Sequence, residues 1–246
     1  MKKLISIALL FVIIAVSGCY MTKKSTDYYG VELKEKRFVF LVDISGSMEN
    51  KIEKNAKGIV VSKATNIVAN QVEDKIGGEI GGLVSKKIKK SLTKLEKAKK
   101  KIIPVINGFT DEHYFTIILF ENDIKLWKNG MVQATGFNKK SGVAHVKALK
   151  SGGGTNISDA LEMAFDLAGD GTSDPSKSLN VETIFLLTDG EPTAGKYTNP
   201  DDILEKVSVW NPNRRVTVHA IGLGDNHDKE FMRKIAEQNN GVYIDK

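Results

Sequence analysis

Five apolar residues in a row, Phe38–Val42, constrain this chain more than any other stretch. A strand with no polar alternation leaves no face for water, so it belongs in the middle of a sheet covered on both sides. The run ends in Asp43. Ser45 and Ser47 follow at alternate positions, with Gly46 between them where the backbone must turn tightly. A carboxylate and two hydroxyls on one loop are hard oxygen donors and suit a hard cation such as Mg²⁺. The same residue types also suit a helix N-cap. The loop by itself leaves both readings open.

The rest of the chain supplies more strands of the same kind. His113–Phe120 and Thr183–Leu187 are further apolar runs, and Val216–Leu223 is another strand. Shorter strands are expected at Ile124–Trp127 and Gly241–Ile244. Helical spacing predicts helices over Leu92–Asn107, Lys139–Lys150, Ala160–Ala168, Pro200–Trp210 and Asp228–Asn239. Strands that alternate with helices and lack polar alternation predict an α/β fold, with a mainly parallel, doubly wound central sheet flanked by helices.

In such a sheet the carboxyl ends of the parallel strands share one rim, and ligands bind there. Asp189 stands just after TIFLL, in the same kind of position as Asp43 after FVFLV, and Thr155 follows Gly152-Gly153-Gly154 at a helix start. Asp43, Ser45, Ser47, Thr155 and Asp189 can therefore meet, offering two carboxylates and three hydroxyls. None of the four histidines lies in these loops, which disfavours Zn²⁺ and favours Mg²⁺, with Ca²⁺ or Mn²⁺ as alternatives. These donors do not saturate such an ion, so water or a partner's oxygen completes its shell. The triple glycine lacks the G-K-[ST] ending of a phosphate loop.

DISGSM, GGGTN and LLTDG, in this order at strand ends, resemble the metal-ion-dependent adhesion site of von Willebrand factor type A domains. The family pattern D-x-S-x-S, then Thr, then Asp is matched at Asp43, Ser45, Ser47, Thr155 and Asp189. HAIGLG is similar to the family's fifth strand. The resemblance implies a Rossmann-like domain with one Mg²⁺ and a ligand carboxylate in the open coordination position. It implies direct coordination by Ser45, Ser47 and Thr155, with Asp43 and Asp189 acting largely through water or hydrogen bonds. It covers 37–246, with two departures. A helical insertion is expected at about 48–91, and the sequence ends on its last strand where members of the family usually add a helix. Within the insertion, apolar residues recur every four from Ala64 to Leu92. Gly77, Gly78, Gly81 and Gly82 interrupt them, each costing a helix interior about 1 kcal/mol relative to Ala. The segment reads as a hairpin packed on its own domain, or as an arm (64–92) that meets a second partner or a membrane.

The N-terminus reads as an address. Lys2 and Lys3 precede the apolar run Leu4–Val16, and Ser17-Gly18-Cys19 closes it, as in a secretory signal peptide over 1–18. V-S-G-C resembles the lipobox of bacterial lipoproteins. That resemblance implies cleavage before Cys19, lipidation of Cys19, and a polar tether over 19–36. The expected location is a bacterial cell envelope: the outer membrane for a two-membrane cell with Tyr20 at the sorting position, otherwise the external face of the cytoplasmic membrane. Cys19 is the only cysteine, so no intrachain disulfide is possible.

The formal charge is +6, and much of the excess lies in Lys86–Lys101, where nine lysines face Glu96 alone. This run reads as a solvated helix face. It has no aromatic interleaving and no nucleic-acid motif, so no nucleic-acid partner is expected. His219 and the two tryptophans, Trp127 and Trp210, read as packing residues, and His227 as a chance neighbour of Asp225 and Asp228.

Three functions follow. The first is a membrane-anchored binding protein, not an enzyme, that holds a protein partner's Asp or Glu carboxylate through the metal. The second is a structural or accessory envelope lipoprotein whose metal site only stabilises the fold. The third, minor, is a Mg²⁺-dependent phosphohydrolase. Its D-x-D motif would need an acid at position 45, where Ser45 stands.

Overall fold

A computed structural model describes residues 27–51 and 92–246. In chain order the elements are β1 (Asp27–Tyr28), β2 (Val31–Glu32), β3 (Arg37–Asp43), α1 (Lys94–Gly108), β4 (Tyr114–Phe120), β5 (Ile124–Leu126), β6 (Val132–Gln133) and α2 (Gly136–Ala148). They continue with α3 (Ile157–Ala168), β7 (Thr183–Thr188), α4 (Pro200–Trp210), β8 (Thr217–Gly222), α5 (Lys229–Gln238) and β9 (Tyr243–Asp245). Short 3₁₀ turns lie at Gly46–Glu49 and Asp170–Thr172.

The main sheet runs β5-β4-β3-β7-β8-β9, with β6 also on β4. β3 pairs in parallel with β4 on one side and β7 on the other, and β7, β8 and β9 continue in parallel. Among the described residues of this sheet, only β5 and β6 run antiparallel, against β4. The expected doubly wound, mainly parallel sheet flanked by helices is therefore the observed fold. The chain leaves β3 for β4 on one side and later returns to β7 on the other. The direction of winding thus reverses at β3/β7, and Asp43 ends β3 at that crevice.

The apolar run works as its pattern requires. Phe38, Phe40 and Val42 join Leu95, Ile102 and Ile106 of α1 in one core. Val39 and Leu41 point the opposite way, into a second core with Leu161 of α3, Ile203 of α4 and Met232 of α5. All five run residues are fully buried.

One expectation changes. The stretch 19–36 was expected to be a polar tether, yet its second half belongs to the fold. β1 and β2 form an antiparallel hairpin whose turn residues, Tyr29 and Gly30, have φ 55° and 92°, as a tight two-residue turn demands. Tyr28 is buried, with its ring 5.4 Å from Phe40 and 5.0 Å from Phe185. Two-residue strands are too short to leave a periodic signal; Tyr28 enters the core, and Tyr29, Val31 and Leu33 pack against it. The first residues of the expected insertion, Met48 and Glu49, lie in the 3₁₀ turn at Gly46–Glu49, with Met48 buried. Residues 1–26, with the leader, Cys19 and Tyr20, and residues 52–91, with nearly all of the 64–92 arm, lie outside the described residues. Among the described residues no helix is long and apolar enough to cross a membrane.

Candidate metal centre

Asp43 closes β3, and its carboxylate is fully buried. Oδ1 accepts a hydrogen bond from the Ser45 backbone N–H at 2.7 Å, which curls the loop back on its own strand. Oδ2 accepts from the Thr188 hydroxyl at 2.5 Å, which ties the end of β3 to the end of β7. Burial pushes the Asp43 pKa up to about 6. The bonds from Ser45 and Thr188 oppose that rise, and the negative charge of Asp189 adds to it.

The loop then presents its hydroxyls in sequence. Ser45 Oγ lies 3.0 Å from Ser47 Oγ, and the Ser47 hydroxyl donates to Asp189 Oδ1 at 2.7 Å. Ser45 and Asp189 are buried, whereas Ser47 keeps partial access to solvent. The glycine run braces the loop from the other side. Gly46 N–H donates to the Gly153 carbonyl at 3.0 Å, and Gly152 N–H donates to the Ile44 carbonyl at 2.8 Å. Gly153, at φ 75°, is in the left-handed region that permits this approach.

Thr155 precedes α3. Its N–H donates to Thr193 Oγ1 at 2.9 Å, and its carbonyl accepts from the backbone of Thr193 and Ala194. Its hydroxyl reaches the same place as the serines. A side chain at Gly190 would begin 3.4 Å from Thr155 Oγ1 and 3.9 Å from Ser47 Oγ, so glycine keeps that space clear. The structure thus brings all five expected residues to one rim: two carboxylates and three hydroxyls around a cleared space. That donor set fits one hard divalent cation. Among the described residues no group of three or more His, Cys, Asp or Glu is placed to hold a metal ion, so three of the five candidate donors here are hydroxyls.

One side chain at this rim was missed. Lys94, the first residue of α1, is 4% exposed and donates from Nζ to Asp189 Oδ2 at 2.5 Å. The lysine run was expected to be a solvated face, and at this position it is not. Thr188 was also unassigned, although it stands directly before Asp189.

His219, His227, Trp127 and Trp210 are packed against neighbouring rings. His219 lies 5.0 Å from the Phe185 ring, and its Nδ1 accepts from Val242 N–H at 3.1 Å. Burial pushes its pKa down to about 4. His227 is buried beside Tyr243, with 2.7 Å between Nε2 and the phenol oxygen. Trp127 stacks on Phe115, and Trp210 packs near Phe165.

A parallel α/β sheet with an oxygen-lined crevice where its winding reverses defines a class of ion- or ligand-holding domains. Comparison with known proteins narrows the class. Residues 84–245 match the model of the von Willebrand factor type A domain, and the chain belongs to that family. The match begins after β3, so the Asp43–Ser47 loop is joined to it by the parallel pairing of β3 with β4 and β7. The chain is 30% identical over 152 residues to mouse inter alpha-trypsin inhibitor, heavy chain 4, and 30% identical over 154 residues to human inter-alpha-trypsin inhibitor heavy chain H6. Each alignment covers 61% of this chain but only 16% and 12% of those relatives. Among solved structures, a von Willebrand factor type A protein from Catenulispora acidiphila aligns over 86% of this chain and 38% of its own, with TM-score 0.56 and 18% identity. BatB from Bacteroides thetaiotaomicron aligns over 86% and 90%, with TM-score 0.51 and 13% identity. At these identities the likeness is one of fold.

Proposed function

We propose that this rim holds a single hard divalent cation, Mg²⁺ foremost, and that the chain uses it to bind a protein partner through an Asp or Glu carboxylate. Domains of this family commonly bind protein partners through a metal site of this type. The observation that carries the reading is the linked chain Thr188–Asp43–Ser45–Ser47–Asp189, with the Thr155 hydroxyl facing the space cleared by Gly190. Ser45, Ser47 and Thr155 are the proposed direct donors. Asp43 and Asp189 orient them and balance the charge. A bound divalent ion supplies a site of positive charge open to a carboxylate oxygen. Ser47, the least buried of the five, marks the direction from which a partner arrives. No catalytic residue is assigned, because Ser45 stands where a phosphohydrolase would need its acid.

In the same reading Cys19 is lipidated, and the domain stands at a bacterial envelope on the residues that precede β1. Two experiments test these statements. Pull-down with the mature chain should recover a partner with Mg²⁺ present and lose it with EDTA or Asp43→Ala. Capture that ignores both refutes metal-dependent adhesion. Cys19→Ser should release the protein from the membrane fraction, and a variant that stays bound refutes the lipid anchor. A second reading has its own support. Lys94 already supplies a positive charge to Asp189, so the rim can serve as a purely structural tie.

A further inference from the structure

We propose that the Lys94 ammonium is a built-in cation of this rim, and that a divalent ion must displace it from Asp189 to load the site. This rests on the metal reading above and adds a regulatory contact to it. Three observations converge on Lys94. Its side chain is 5% exposed and that of Asp189 0%, with 2.5 Å between Nζ and Oδ2. A lysine is rarely buried to this degree without a specific partner. It also stands at the first position of α1, where the helix dipole disfavours a positive charge. The N-terminus of α1 has its own device: Thr93 Oγ1 accepts from Glu96 N–H, and Glu96 Oε2 accepts from Thr93 N–H. Capping therefore does not account for Lys94. Finally, both oxygens of Asp189 have partners, Oδ1 accepting from Ser47 and Oδ2 from Lys94.

The charges explain why displacement follows. Asp43 and Asp189 carry two negative charges when both are ionised. A divalent ion balances them alone, and with Lys94 in place the rim would hold an excess positive charge in a buried setting. Lys94 thus competes with the metal, and it keeps Asp189 neutralised when metal is scarce. Its long aliphatic stem lets the ammonium swing towards solvent without moving α1. The effect is a threshold: a metal concentration sufficient to fill an open rim does not fill this one.

The test is Mg²⁺ titration of the mature chain by calorimetry, with Lys94→Met as the principal variant. The side chain of Met has similar length and no charge. Removing the competitor should tighten Mg²⁺ binding by about tenfold or more. Lys94→Arg, which keeps a charge in the site, should not tighten it, and this serves as a second variant if Lys94→Met folds poorly. Metal binding by Lys94→Met alone, with none by the natural chain, also supports the inference and shows a rim closed by Lys94. Equal affinity in the natural chain and Lys94→Met, abolished in both by Asp43→Ala, refutes the displacement and leaves the metal reading intact. Binding by none of the proteins refutes both.

Discussion

Asp189→Ala removes one half of the buried pair, and its cost can be worked from the geometry. At 2.5 Å and an effective dielectric near 20, opposite charges attract by about 7 kcal/mol. Taking two ions out of water costs several kcal/mol each, so the pair as a whole contributes little net stability. Breaking it from one side is different. Asp189→Ala leaves a buried ammonium at a helix N-terminus and strips Ser47 of its acceptor. The expected loss is about 3 kcal/mol in EDTA. The companion variant Asp189→Ala/Lys94→Met removes the stranded charge and should recover about 2 kcal/mol of that loss. Urea unfolding followed by circular dichroism reads both, provided the slope m is unchanged. If the double variant is no more stable than Asp189→Ala, the penalty does not come from an uncompensated Lys94. The buried-pair argument then fails.

Three further perturbations probe the frame around the rim. Tyr28→Ala should cost about 3–5 kcal/mol in urea unfolding, because the ring fills the core against Phe40 and Phe185. Tyr28→Phe should be neutral or stabilising by about 1 kcal/mol, since the buried hydroxyl has no hydrogen-bond partner. An unchanged midpoint in Tyr28→Ala would return residues 27–36 to the role of tether. Gly241→Ala should cost about 3 kcal/mol or abolish folding, because the new Cβ would lie 1.8 Å from the Val218 carbonyl oxygen. Gly136→Ala, with open space around it, serves as the tolerated control. His219 is held neutral, with its pKa pushed down to about 4 by burial. Above the unfolded value near 6.5 its contribution is complete. As pH falls from 6.5 towards 4, the unfolded chain takes up a proton that the folded chain refuses, and stability drops by roughly 2 kcal/mol, allowing for partial solvent screening. Asp43, raised to about 6, shifts stability the opposite way as pH falls. The readout is therefore the difference in pH dependence between the natural chain and His219→Asn. Identical profiles would remove His219 from the account.

The fold was legible because the strongest signals were local and redundant. Phe38–Val42 and Thr183–Leu187 read as central strands; the first runs straight into Asp43, and Thr188 alone separates the second from Asp189. Thr155 required topology as well, since it meets the serines only because α3 begins at the same edge as β3 ends. Lys94 was hidden for the opposite reason. In composition it is one of nine lysines in a row of sixteen residues, and nothing in a charge run distinguishes a buried member from eight others. Its signal lies in the combination of two patterns that were each read separately. Helical spacing places residue 94 directly above Ala98 and beside Leu95, both on the stripe that faces the sheet. The crossover from β3 to β4 places the first turn of α1 at the carboxyl rim of the sheet. A lysine on the inner stripe of that turn places its charge on Asp189. Burial of a single charge is thus set by helix phase and strand order together. A metal motif read only from its own residues omits the neighbour that competes with the ion.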